Sequence, residues 1–356
     1  MSLKLVNLVF KFGSLLALTP AKIEKHGLGF PSKIYALLWI ILFTAGVSIS
    51  CIYRKPFYEE MTLVELILQV VTDVVLLILN ISIITITATK KRQWQKFIKI
   101  LKTLKINQEN ERKFWFLSFL LAITMYILSK IYETYIWSSV LGVLHYKMYA
   151  VEYFQFYAQF IVYYLIYVFL KLILNGVENL SKNIKLLKVR SNRLNSFTLK
   201  SIKREFCALS ECINIFNNIF GWLILLLILF CFLQQLAYLH SLTATNIAEN
   251  TVSIVIFKIM QITWHMVGTF ISVFLCDLVE QRVKNMQMVA HEVAANCVGE
   301  KEYEEIKLLL GVINNTFPHF TAARYFNLNR KTILGILNAL LTFLIVAIQF
   351  ENSSFS

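Results

Sequence analysis

Seven stretches of this chain are apolar for long enough to cross about 30 Å of hydrocarbon, and no other feature limits its fold so severely. They lie near residues 33–53, 63–88, 114–136, 149–174, 219–240, 252–276 and 331–350. Hydrophobic residues make up 57% of the 356, more apolar surface than a soluble domain of this length could bury. In lipid a backbone must satisfy its own hydrogen bonds. The expected fold is therefore an all-α integral membrane protein with seven transmembrane helices.

The charges orient those helices. The net charge is +14, and 29 of the 35 Lys and Arg fall in segments 1–33, 89–113, 175–218 and 277–331. The remaining connections carry only Arg54, Lys55 and Lys147. Cations concentrate on the cytoplasmic side of membrane proteins, so the N-terminus is expected in the cytoplasm and the C-terminus outside. Such a distribution is a topology signal and a contact with anionic membrane lipids, not a nucleic-acid surface. It also opposes a seven-helix G-protein-coupled receptor, whose N-terminus is extracellular. No Asp-Arg-Tyr ends the third span and no Asn-Pro-x-x-Tyr lies in the seventh.

Four zones follow: a cytoplasmic segment 1–32, helices 1–6 with an outer cavity over 33–276, a cytoplasmic helical segment 277–330, and a last helix with a short outer tail over 331–356. The apolar stretch Leu3 to Leu18 is broken by Lys4 and Lys11. It is too short to span and lacks a cleavage site, so an amphipathic helix on the inner membrane surface is expected. Loops 54–62, 137–148 and 241–251 are too short for an ectodomain. Helical periodicity continues outside the spans at Cys207–Ile219, Asp277–Ala295 and Tyr303–Ile313. The six cysteines form no extracellular framework, and no His/Cys cluster supports a metal or cofactor.

Polar groups within the spans are costly and mark function by default. Here they form four faces at helical spacing. Helix 2 carries Glu65, Gln69 and Asp73, and helix 3 carries Lys130 and Glu133. Helix 4 carries Glu152, Phe156 and Gln159, and helix 6 carries Lys258, Gln261 and His265 beside Trp264. The charge orientation sets these in the outer half of the membrane, at similar depth. With nearby tyrosines they are the candidate lining of a pocket for a small polar or amphipathic organic ligand.

The last apolar run has a different pattern. Gly335, Asn338, Thr342, Ile345 and Gln349 recur at steps of three and four, a mostly small or polar stripe on an aliphatic helix. A pore lining has that character, and Glu351 follows at the expected outer mouth. The ending Thr342-Phe343, five apolar residues, then Gln349-Phe350 resembles the signature of insect gustatory receptors, with Phe343 in place of a tyrosine. That resemblance implies a tetrameric, ligand-gated, non-selective cation channel. Its closing helix would line the pore, with the constriction at Gln349 and Phe350 and with Val346 one turn earlier. It also implies a small-molecule tastant, a bitter compound or a sugar, and homo- or heteromeric assembly with other gustatory receptors. Odorant receptors have similar endings and are the nearest alternative. A secondary transporter is the alternative of another class, and no catalytic constellation suggests an enzyme.

Overall fold

The apolar runs become helices whose starts are set by polar caps. In the computed structural model, which describes residues 3–20, 22–24, 27–29, 31–103, 112–189, 196–243, 252–295 and 300–354, the Ser32 hydroxyl accepts from Tyr35 N and starts α2. Thr62 and Glu65 form a reciprocal capping box that starts α3. The elements in order are α1 (Leu3–Ser14), β1 (Lys22–Glu24), β2 (Gly27–Gly29), α2 (Lys33–Glu60), α3 (Leu63–Thr89), α4 (Lys91–Thr103), α5 (Arg112–Leu141), α6 (Leu144–Val189), α7 (Ser196–Thr243), α8 (Val252–Ala295), α9 (Glu300–Thr316), β3 (Thr321–Ala322), β4 (Phe326–Asn327) and α10 (Arg330–Ser354).

Among the described residues, α2, α3, α5, α6, α7 and α8 are long and apolar enough to cross a membrane. Span 331–350 falls within the 25-residue α10. The membrane segments of α6 and α7 are 78% and 67% buried, against 17% for α2 and 11% for α5. So α6 and α7 form the centre, while α2 and α5 lie at the periphery with their aliphatic residues exposed. At 44–48 residues, α6, α7 and α8 reach about 70 Å at 1.5 Å per residue. Their projecting ends pack with α1, α4 and α9 at the basic end of the bundle. The opposite, turn end carries the short α2–α3 and α5–α6 connections. At the latter, Gly142 takes a left-handed φ of 58° that a residue without Cβ adopts freely.

Three expectations are corrected. Residues 137–148, read as loop, are helical but for 142–143, since α5 runs to Leu141 and α6 begins at Leu144. Residues 54–60, read as loop, continue α2 through Pro56, because Arg54 finds partners inside the bundle. The N-terminal helix does not lie on a surface. Val6, Val9 and Phe10 of α1 are wholly buried, with Phe10 edge-on to Trp94 and Phe169. Its carbonyls and those just after it hold neighbours: Thr19 and Tyr157 donate to Phe10 O and Phe12 O, and Thr87 donates to Leu18 O.

At the basic end a β-hairpin of two-residue strands, β3 and β4, precedes α10. Phe320, Ala322 and Leu328 are fully buried, and the turn takes left-handed backbone at Ala323 and Arg324. Gly221 of α7 admits this hairpin, since a Cβ there would stand 3.1 Å from Ala323 N and Thr321 O. Asn217 donates to His319 O at 2.7 Å and accepts from Thr321 N at 3.3 Å, while Glu280 of α8 accepts from Phe320 N. Arg330, the first residue of α10, pairs with Asp277 of α8 at 2.8 Å. Burial lowers the pKa of Lys90, whose ammonium donates to Asn218 O at the same end.

Candidate functional site: a ligand cavity and an outward-facing polar helix

The four polar faces resolve into two charge clusters toward the turn end. In the first, Arg54 of α2 contacts Asp73 of α3 at 3.1 Å and Glu152 of α6 at 2.5 Å. Its Nε and Nη2 also donate to Met148 O, and its guanidinium lies 4.2 Å from the Tyr149 ring centroid. Gln69 and Tyr58 donate to Asp73 at 3.1 and 3.3 Å. The Arg54 side chain is 5% exposed. Two carboxylates expected in a ligand pocket thus share one buried cation, which ties three helices together. Glu65 sits apart, closing its own cap and facing His240 at 3.6 Å.

The second cluster joins α5, α6 and α8. Lys130 pairs with Glu133 at 2.6 Å, and Gln261 donates to the same carboxylate at 3.1 Å. The Lys130 ammonium lies 4.1 Å from the Phe156 ring and 5.5 Å from that of Tyr153, a cation–π arrangement. The Tyr153 hydroxyl is 2.7 Å from His145 Nε2 and 3.1 Å from Thr134 Oγ1. His265 lies between the Phe156 and Phe230 rings, 5.5 Å from each. Both its ring nitrogens, and Nε2 of Gln155 and Gln159, are buried without a hydrogen-bond partner among the described residues. Such groups are costly unless something meets them. Trp264 stacks on Phe160 at 6.2 Å. The side chain of Lys258 lies outside the described residues.

A cavity of about 840 Å³ opens beside the second cluster, between α1, α2, α5 and α6. Lys130, Thr134 and Tyr153 form its polar end, and Trp39, Tyr126, Tyr157 and Phe12 line much of the rest. That size suits a drug-sized organic ligand, and an apolar lining with a few convergent polar groups suits an amphipathic one.

Arg54 and His145 are the residues that the sequence reading missed, while Tyr153 was among the tyrosines expected around the pocket. A signal for Arg54 existed: Asp73 and Glu152, inside apolar spans, require a cation, and the connections on that side offer only Arg54, Lys55 and Lys147.

On α10, the residues expected at the pore are oriented together. Gly335, Asn338, Thr342, Ile345, Val346 and Gln349 are exposed, whereas Leu340 is buried and Ile333, Ile336, Phe343 and Leu344 are half-buried. The stripe therefore faces away from the chain's own bundle, across the helix from the face that packs on it. The Thr342 hydroxyl donates to Asn338 O. The side chains of Phe350 and Glu351 lie outside the described residues.

The family model of the 7tm chemosensory receptors matches residues 6–353. No curated protein matches the chain. Among solved structures, the insect olfactory receptor OR5 from Machilis hrabei is similar at a TM-score of 0.73 and 12% identity, covering 98% of each chain. The same receptor in complex with eugenol is similar at 0.71 and 13% identity, covering 98% of this chain and 99% of that one.

Proposed function

Because the chain belongs to the 7tm chemosensory receptor family, a family of multi-pass membrane receptors and not of enzymes, we propose that it is a gustatory receptor acting as a ligand-gated, non-selective cation channel. The observation that carries this reading is the orientation of α10. A stripe holding Asn338, Thr342 and Gln349 cannot face acyl chains without cost, and its own bundle does not cover it. Four copies around an axis would give that stripe water and one another. A ring of Gln349 amides would then hydrate a passing cation, and rings of Val346 and Phe350 would close the path by dewetting. In this arrangement the turn end lies outside the cell, and four Glu351 carboxylates at the mouth concentrate cations.

The tastant would occupy the 840 Å³ cavity beside Lys130 and Tyr153 and reach toward Phe156, Gln159, Gln261, Trp264 and His265. Opening requires tighter binding to the open state than to the closed one. Every carboxylate of the two clusters already has a cation within reach, so a neutral hydrogen-bonding tastant suits the site better than an amine. The olfactory reading rests on the likeness to OR5, whose complex with eugenol shows a bound small molecule in this fold.

Whole-cell recording from cells expressing this chain alone, challenged with sugars and alkaloids, tests the reading. A stimulus-evoked cation current is expected, with altered permeability ratios or resting leak in Gln349→Ala and Phe350→Ala. Surface expression with substrate uptake and no current would favour a transporter instead.

A further inference from the structure

A second cavity of about 300 Å³ lies between α5, α6 and α8. It is deeper than the charge clusters: Ala122 and Ser118, which line it, precede Lys130 by 8 and 12 residues on α5. At helical rise this is about 12 and 18 Å toward the basic end. Trp264, stacked on Phe160, which in turn stacks on Tyr126 at 5.1 Å, walls it off from the first cavity. Its floor is tyrosine. Gly268 brings α8 against that floor, because a Cβ there would stand 3.0 Å from the Tyr163 ring.

The chemistry of the lining is narrow. No lining residue carries a charge, and the polar atoms of its serines and tyrosines are all hydroxyls. Two of these meet at 3.1 Å, Ser118 Oγ and Tyr164 Oη, and Tyr163 Oη lies 2.7 Å from Thr269 Oγ1. The rim residues Val267 and Ile271 are 46% and 42% exposed in the membrane-crossing part of α8, so the mouth opens on acyl chains rather than water. An ion entering there would find no counter-charge, and a sugar would have to bury several hydroxyls against a lining whose Ser118, Tyr163, Tyr164 and Ser272 hydroxyls already have partners. Rings and one hydroxyl fit both the stacking surface and the hydroxyl pair.

We propose that this cavity is a second ligand site, entered from the bilayer between α5 and α8, for neutral, ring-bearing lipophiles with a single hydroxyl or carbonyl end. It stands whether or not the chain conducts ions, and it is separate from the tastant cavity.

The test uses the full chain in lipid nanodiscs, photolabelled with 4-hydroxybenzophenone and mapped by mass spectrometry. Saturable adducts are expected on α6 around 160–167 and on α8 around 264–272. Ala122→Trp, which fills the void from a half-exposed position, is expected to raise the half-saturating concentration about tenfold, or about 1.4 kcal/mol. Ser118→Ala, a milder change that keeps the fold, is expected to raise it roughly fivefold through one lost hydrogen bond. Labelling that does not saturate, spreads over the exposed faces of α2 and α5 and ignores both substitutions would overturn the proposal, because acyl chains alone would then fill the gap. Adducts confined to α1 and α2 would overturn it too, since the phenol would then occupy the larger cavity.

Discussion

Replacing Arg54 with methionine removes the one cation shared by Asp73 and Glu152 while keeping most of the side-chain volume. Arg54 is 5% exposed, and its partners are 16% and 18% exposed, so the stranded carboxylates stay largely out of water. Breaking a buried pair from one side costs about 3–5 kcal/mol. The two donations to Met148 O are lost as well. At about 2 °C per kcal/mol for a chain of this length, the melting temperature should fall by roughly 6–10 °C, read by size-exclusion fluorescence after graded heating in detergent. The triple variant Arg54→Met, Asp73→Asn, Glu152→Gln removes all three charges and should recover most of that loss. A single Arg54→Met variant melting within about 2 °C of the parent would refute the claim that this ion cluster holds α2 to α3 and α6. So would a triple variant no more stable than the single one.

Asp73→Asn alone leaves a one-to-one Arg54–Glu152 pair, so it should cost less than about 1 kcal/mol. By repositioning α3 against the cavity helices it should still shift the half-maximal stimulus concentration, which dose–response recording would show. Gly221→Val forces a side chain into the hairpin backbone 3.1 Å away and should cost about 1–3 kcal/mol, seen as reduced surface yield and a lower melting temperature. Tyr153→Phe deletes the hydroxyl shared by His145 and Thr134. It should weaken stimulus sensitivity several-fold, about 1 kcal/mol for one such bond, at unchanged permeability ratios.

Helix identity was legible because lipid solvation leaves one solution for a long apolar run, and the stripe on α10 was legible because its period is that of a helix. The polar faces on α3, α5, α6 and α8 were legible for the same reason, but their pairing was not. Periodicity assigns a residue to a face and says nothing of which face it meets, so Asp73 and Glu152 read as open ligand contacts although Arg54 occupies both. Arg54 itself read as a loop cation because hydropathy falls at residue 54, while the helix continues to Glu60 on the strength of partners 19 and 98 residues away. The burial of α1 was hidden for a related reason. An amphipathic helix suits a membrane surface and a groove between helices equally, and only the tertiary contacts of Phe10 distinguish them. The hairpin at 321–327 is too short to carry a period at all.

The proposed channel requires the polar face of α10 to line a water-filled path formed with other copies. Cysteine substitution along α10, with a charged thiol reagent applied during stimulus-evoked current, tests it most directly. Block is expected at Asn338→Cys and Thr342→Cys, which lie on the exposed stripe, and none at Leu340→Cys, which packs on the bundle. Block at Leu340→Cys with none on the stripe, in proteins that reach the surface and conduct, would contradict it.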